Sequence, residues 1–150
     1  MALPPVGEPI GLQLARTAKL AGRSFDDALA AVGGSVPTWL ILVSLKAQRH
    51  GAQRELAEAV GVEGPTLTHH LNRMESDGLV TRTRDPQNRR VHHVELTEGG
   101  EAAFRHLLGT VSSFDARLRA GFTADELTSL GEMLGRLRRN LGGPMGQGCS

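Results

Sequence analysis

Residues 64–84 read GPTLTHHLNRMESDGLVTRTR, and this stretch decides the fold. Its first part, residues 64–77, carries apolar side chains at the three- and four-residue spacing of one helical face. These apolar residues, expected to be buried, are Leu67, Leu71 and Met74. Gly78 is expected to end the helix, because a glycine in the left-handed conformation commonly follows the last helical turn. Beyond it the hydrophobic period changes to one typical of a β-strand.

The opposite face of this predicted helix is polar. Its hydroxyl groups, amide, imidazole and guanidinium can donate to and accept from base edges in the major groove of DNA. The residues predicted to contact DNA are Pro65, Thr66, Thr68, His69, Asn72 and Arg73. The carboxylates of Glu75 and Asp77 lie at the C-terminal end, and a recognition helix enters the groove with its N-terminal part. With a short helix predicted over residues 53–60, the segment is interpreted as a helix-turn-helix.

A basic β-hairpin is predicted directly after this helix. Two strand-like runs, residues 79–84 and 91–96, flank the turn-forming sequence DPQN. Between Thr81 and His93 four arginines oppose one aspartate, so the local charge is four minus one, or +3, on a chain of net charge +1. Such a wing can contact phosphates or enter a narrow minor groove, although charges on a hairpin can also simply protect an exposed strand edge. Its position after a helix-turn-helix favours DNA contact by Arg82, Arg84, Asn88, Arg89 and Arg90.

Amphipathic helices are predicted at both ends of the chain. The expected organisation is an N-terminal dimerisation helix in residues 1–34, a winged helix-turn-helix unit in 35–100, and C-terminal dimerisation helices with a flexible tail in 101–150, joined in one integrated fold. A chain of this size has few internal surfaces to cover two such ends, and twofold dimers are the commonest oligomers. The residues predicted to lie in a homodimer interface are Leu14, Leu127, Leu130, Leu134 and Leu137.

The motifs together resemble the MarR (multiple antibiotic resistance) family of regulators. The similar segments are QRELA at 53–57, TLT at 66–68, LNRME at 71–75, DGLVTR at 77–82, DPQNRR at 85–90 and LTEGG at 96–100. The resemblance implies a mainly α fold with a small β-hairpin wing, a homodimer, and ligand-responsive repression at a palindromic operator. It also implies a site for a small aromatic or phenolic effector near Phe25, Trp39 and Phe104, although a single tryptophan in a helix more often packs in the core. In the family an acidic residue stands two positions before the minor-groove arginine; here Asn88 stands before Arg90.

Other functional classes find less support in the sequence. A nucleophile elbow, a phosphate-binding loop, a metalloprotease helix and a dinucleotide fingerprint are all missing, so an enzyme and a cofactor are not expected. The six histidines have no metal-ligand spacing, and the single cysteine, Cys149, follows a glycine-rich stretch typical of a solvated tail. We find no secretory signal and no apolar run near the roughly 20 residues of a membrane span, so a cytoplasmic protein is expected. A winged-helix module that binds proteins instead of DNA is the remaining alternative.

Overall fold

The computed structural model describes residues 7–48 and 50–143, and these residues are mainly helical. In chain order the elements are α1 (Ile10–Ala30), α2 (Val36–Gln48), β1 (His50–Ala52), α3 (Gln53–Val60), α4 (Gly64–Ser76), β2 (Val80–Arg84), β3 (His92–Leu96), α5 (Glu98–Arg119) and α6 (Ala124–Asn140). The predicted fold class, mainly α with a small β-hairpin wing, is therefore confirmed. The chain divides after Phe114 into two compact units, and α5 runs across that boundary.

The core of the first unit is aliphatic. Its fully buried side chains are Leu29, Ile41, Leu42, Leu45, Leu67, Leu71, Val80 and Val94. Two of the three residues predicted to form the inner face of α4, Leu67 and Leu71, are among them. The third, Met74, is only 2% exposed and also belongs to the core. The helix that will carry the polar face is thus held by burial of its opposite side, which is the usual source of helix stability in proteins.

The sheet has one strand more than the sequence predicted. Strand order is β1-β3-β2, and both pairings are antiparallel. The predicted hairpin forms β2 and β3, with Arg82 opposite Val94. The additional strand β1 has no counterpart in the sequence prediction, and its Ala52 is opposite His93. A three-residue His-Gly-Ala strand has no local signature, so it is fixed by its partner rather than by its own composition.

A threonine joins the end of α4 to the start of α5. The Thr97 hydroxyl donates to the carbonyl oxygen of Gly78 and accepts from the backbone N–H of Gly100 at 3.0 Å. Gly78 has φ of +76°, the left-handed conformation predicted for it. Gly100 is buried, and a Cβ there would lie 2.1 Å from the carbonyl oxygen of Leu79. Helix α5 can approach the sheet this closely only because Gly100 has no side chain.

In the second unit, α6 begins with a capping box. The Thr123 hydroxyl accepts from the backbone N–H of Glu126 at 3.1 Å, and the Glu126 carboxylate accepts from the backbone N–H of Thr123 at 2.9 Å. These bonds lower the pKa of Glu126, because the charged carboxylate is the form that accepts them. Leu130 and Met133 of this helix are 41% and 53% exposed.

Candidate nucleic-acid interface

Helix α4 presents the polar face that the sequence predicted. Gly61, with φ of +76°, ends α3, and α4 begins three residues later with Pro65 in its first turn. Five of the six predicted contact residues are exposed: Pro65, Thr66, His69, Asn72 and Arg73. A helix with one buried aliphatic side and a row of solvated donors and acceptors opposite can dock into a major groove.

Thr68, the sixth predicted residue, is half-buried and holds two helices together. Its hydroxyl accepts from the side-chain amide of Gln53 at 2.8 Å and donates to the carbonyl oxygen of Gly64 at 3.0 Å. Because both functions of the hydroxyl are engaged, Thr68 positions the first turn of α4 against α3.

The tip of the hairpin is closed by its own side chains. The Asp85 carboxylate accepts from the backbone N–H groups of Gln87 and Asn88 at 2.7 and 3.2 Å. The amide oxygen of Asn88 accepts from the backbone N–H of Arg90 at 3.2 Å. Asn88 therefore braces the backbone of Arg90, and among the described contacts it makes no bond to the guanidinium. Arg84, Arg89 and Arg90 are exposed.

At the start of the same turn, Asp85 also pairs with a histidine. Its second carboxylate oxygen lies 2.9 Å from Nε2 of His93. The hydrogen bond from His93, together with those from the backbone of the turn, lowers the pKa of Asp85. Asp85 thus remains ionised and holds the turn closed at neutral pH.

Arg82 differs from the other wing arginines, because its side chain is only 18% exposed. Its guanidinium donates to the amide oxygen of Asn72 and to both carboxylate oxygens of Glu75, at 3.4 and 3.2 Å. Its backbone N–H also donates to Glu75 at 3.2 Å. The hydrogen bonds from Arg82 lower the pKa of Glu75, and the attraction between the two charges acts in the same direction. Sequence reasoning missed this cluster, since nothing local links a helix residue to a strand residue seven positions later.

The polar start of α4 and the wing open into one groove, which we call the α3–wing groove. Its lining includes Gly64 and Thr68 of α4 and Arg82, Arg90 and His92 of the hairpin, with α3 forming the remaining side. Two of the predicted wing arginines therefore share a concave surface with the N-terminal turn of the predicted recognition helix. Three glutamates, Glu55, Glu58 and Glu63, line the side of the groove away from the hairpin. The part of the groove that can accept a polyanionic backbone is therefore the hairpin side, where Arg90 is exposed.

The three predicted effector-site aromatics fall into two ring pairs. Trp39 stacks on Phe104 with ring centroids 5.5 Å apart and planes 8° from parallel, and Phe25 contacts Phe114 at 5.2 Å. Trp39 is 9% exposed and belongs to the core. Lys46 extends over the Phe104 ring at 5.7 Å and pairs with Glu101 at 2.6 Å.

The predicted interface leucines are accessible to different degrees. Leu14 and Leu130 are 38% and 41% exposed, and the other three, Leu127, Leu134 and Leu137, are half-buried. Cys149 lies outside the described residues. Within residues 7–48 and 50–143, three potential ligands for a metal ion do not come together at any point. In the same part of the chain, every helix is too short or too polar to cross a bilayer.

Comparison with known proteins gives one consistent result. The MarR family model matches residues 35–92, which include α2, the helix-turn-helix and most of the wing. The chain is similar to the transcriptional regulator PA4135, with 27% identity and a TM-score of 0.72 over 89% of this chain and 98% of that one. It is similar to the transcriptional repressor CouR bound to a 23-mer DNA duplex, with 28% identity and a TM-score of 0.78 over 87% and 93% of the two chains.

A third similar structure is a cysteine-to-serine mutant of MarR from E. coli complexed with operator DNA. It is 25% identical, with a TM-score of 0.75, and the alignment covers 86% of this chain and 93% of that one. In all three cases the alignment extends well beyond the DNA-binding unit into the flanking helices. Residues 35–92 therefore match the MarR family of transcriptional regulators, and the chain has the winged-helix fold of the similar structures.

Proposed function

We propose that this protein is a ligand-responsive repressor that binds a palindromic DNA operator as a homodimer. In this proposal α4 enters the major groove and reads bases with Thr66, His69, Asn72 and Arg73. The wing contacts the backbone and the adjacent minor groove with Arg84, Arg89 and Arg90. Thr68 and Arg82 support these residues from within the protein.

The observation that carries the proposal is the shared α3–wing groove. Gly64 and Thr68 of α4 line it together with Arg82 and Arg90 of the hairpin, so one ligand surface can meet both the start of α4 and the wing. The hairpin supplies three exposed arginines, and the only carboxylate at its tip, Asp85, is engaged with His93 and the turn. Two of the similar structures, CouR and the E. coli MarR mutant, contain DNA, which further supports this ligand class.

Two parts of the proposal rest on other grounds. The homodimer is supported by the exposure of Leu14 and Leu130 and by the resemblance to the MarR family. The aromatic effector is supported by the resemblance; because the Trp39–Phe104 stack is closed, an aromatic ring inserted there would have to separate it. Such a separation would change the packing of α2 against α5, and a ligand that favours the altered packing would shift the population away from the DNA-binding state.

The DNA-binding part is tested by selecting duplex fragments from a random library with the purified protein. We expect an enriched palindrome with half-sites about one helical turn apart. Arg90→Ala is expected to weaken binding to that palindrome and to reduce the slope of log affinity against log salt by about one. Arg105→Ala is the matched control, because it removes the same charge from an exposed position on α5, away from the wing. Enrichment of no sequence would contradict the proposal and favour a protein-binding winged helix.

The dimer is tested by light scattering after size exclusion. Leu130→Glu places a charge on the predicted interface and should yield a monomer with weakened operator binding. Thr128→Glu, on the far side of α6, is the control and should leave the dimer intact. A Leu130→Glu protein that remains a tight dimer would place the interface elsewhere.

The effector is tested by adding a panel of small phenols and aromatic acids to the protein–operator complex. An effector should release DNA and change the emission of Trp39, the only tryptophan. Release without any change in Trp39 emission would show that the effector binds away from this aromatic pair.

A further inference from the structure

One side chain of the recognition helix is held in a fixed orientation by the wing. The amide oxygen of Asn72 accepts a hydrogen bond from the Arg82 guanidinium. The same guanidinium is anchored on Glu75, one helical turn further along α4, by bonds of 3.4 and 3.2 Å. Glu75 also accepts from the backbone N–H of Arg82, so the guanidinium and the strand that carries it are both tied to the helix.

This arrangement divides the Asn72 amide into an engaged half and a free half. The oxygen is turned to Arg82, while the amide nitrogen donates to no partner among the described residues. Asn72 is exposed, so its two N–H groups are available to a ligand. The positive charge beside the oxygen further disfavours the approach of a second N–H donor on that side.

The two halves of an amide have different uses in the major groove. Adenine is recognised by an amide that donates to N7 and accepts from N6, so both halves are needed. Guanine offers two acceptors, N7 and O6, so a side chain that binds it there needs only hydrogen-bond donors. We infer that Arg82 sets the base preference of the recognition helix, because by occupying the Asn72 oxygen it makes Asn72 a donor that reads guanine in preference to adenine.

Arg82 is on this inference a positioning residue rather than a phosphate contact, and its low exposure of 18% agrees with that role. Arg84 provides the comparison within the same strand. It lies two residues on, on the same face of β2, is exposed, and makes no hydrogen bond to α4 among the described residues. The inference rests on the proposed function, since it assumes that α4 reads DNA.

The experiment is to select binding sites from a random duplex library with four proteins and compare base frequencies at each position. The proteins are the wild type, Arg82→Met, Arg84→Met and Asn72→Ala. The position read by residue 72 is the one whose preference disappears in Asn72→Ala. At that position the wild type should favour guanine, and Arg82→Met should change the guanine-to-adenine ratio by about fivefold or more toward adenine, the discrimination typical of one good bidentate pair. Arg84→Met should lower affinity for all sequences and leave the order of bases unchanged.

A double variant isolates the route of the effect. In an Asn72→Ala background, Arg82→Met should cause no further change at that position, because the oxygen that Arg82 holds is gone. If Arg82→Met proves unfolded by circular dichroism, Glu75→Gln takes its place, since it weakens the anchor of the guanidinium without changing side-chain size. It should shift the preference in the same direction by a smaller factor.

The failures are distinguishable. If the wild type enriches an operator and Arg82→Met shows the same base preference at that position, the inference is overturned and the proposed function stays intact. A shift that persists in the Asn72→Ala background also overturns it, because Arg82 would then act by another path. A wild type that enriches no sequence overturns the proposed function and this inference together.

Discussion

The buried glycine at the start of α5 allows a stability prediction whose size follows from the structure. In Gly100→Ala, the new Cβ would lie 2.1 Å from the carbonyl oxygen of Leu79 and 2.9 Å from a methyl group of Leu96. The first of these neighbours is backbone, which cannot rotate away, so α5 and the strand must separate. Overpacking of this kind costs typically 1–3 kcal/mol, and we expect about 3 kcal/mol here.

Gly109→Ala in the same helix is the matched control, because a Cβ there meets nothing within 4 Å. Both variants gain about 1 kcal/mol from the higher helix propensity of alanine. Gly100→Ala should therefore be destabilised by about 2 kcal/mol, and Gly109→Ala stabilised by about 1 kcal/mol. The gain in helix propensity is the same in the two variants and cancels when their unfolding free energies are compared. The remaining difference of about 3 kcal/mol measures the steric conflict alone.

The assay is thermal unfolding followed by circular dichroism, at one protein concentration because dimerisation would contribute to the apparent stability. For a chain of this size, 1 kcal/mol corresponds to about 2–4 °C in Tm, so the two variants should differ by about 6–12 °C. Equal Tm values for Gly100→Ala and Gly109→Ala would refute the close approach of α5 to the sheet.

Three further predictions concern other contacts. Thr123→Ala removes the capping box of α6 and should cost about 1 kcal/mol, measured as a fall of about 2–4 °C in Tm; an unchanged Tm would mean that water replaces the cap. Because the pKa values of Glu75 and Asp85 are lowered in the folded state, their stabilisation is present above pH 5; its loss starts as pH falls below their ordinary values of 4.5 and 3.8 and is complete below the lowered folded-state values. The urea midpoint should therefore fall between pH 7 and pH 4, and fall less in Glu75→Gln; an equal fall in that variant would contradict the role of Glu75. Phe104→Leu should shift Trp39 emission to the red and increase its quenching by iodide, since the ring that covers Trp39 is removed, and unchanged quenching would argue against the stack.

The sequence was sufficient where the signal is local and periodic. Leu67, Leu71 and Met74 lie on one side of any helix drawn through them, so both the helix and its buried face followed from spacing. The capping box at Thr123 and the left-handed Gly78 also depend only on neighbouring residues. The polar face of α4 then followed as the opposite side of the buried one.

What the sequence did not predict depends on contacts between distant residues. Strand β1 exists because His50–Ala52 meets β3 more than forty positions later, and its own composition favours no strand. Arg82 looked like one more wing arginine, because spacing along a strand does not reveal which side chain is tied to α4. The effector-site aromatics were grouped by the resemblance, whereas packing placed Phe25 with Phe114 and Trp39 with Phe104.

The hydrogen bonding of the hairpin determines how much conformational entropy it loses when it binds a partner. A two-stranded hairpin is marginal in water, but here β3 is hydrogen-bonded on both sides, by β2 and by β1. The turn at the tip is closed by Asp85 and Asn88. Its backbone is thus pre-organised before any partner arrives, and the freedom lost on association is confined to the long side chains, such as Arg89 and Arg90, at about 0.5–1.5 kcal/mol each.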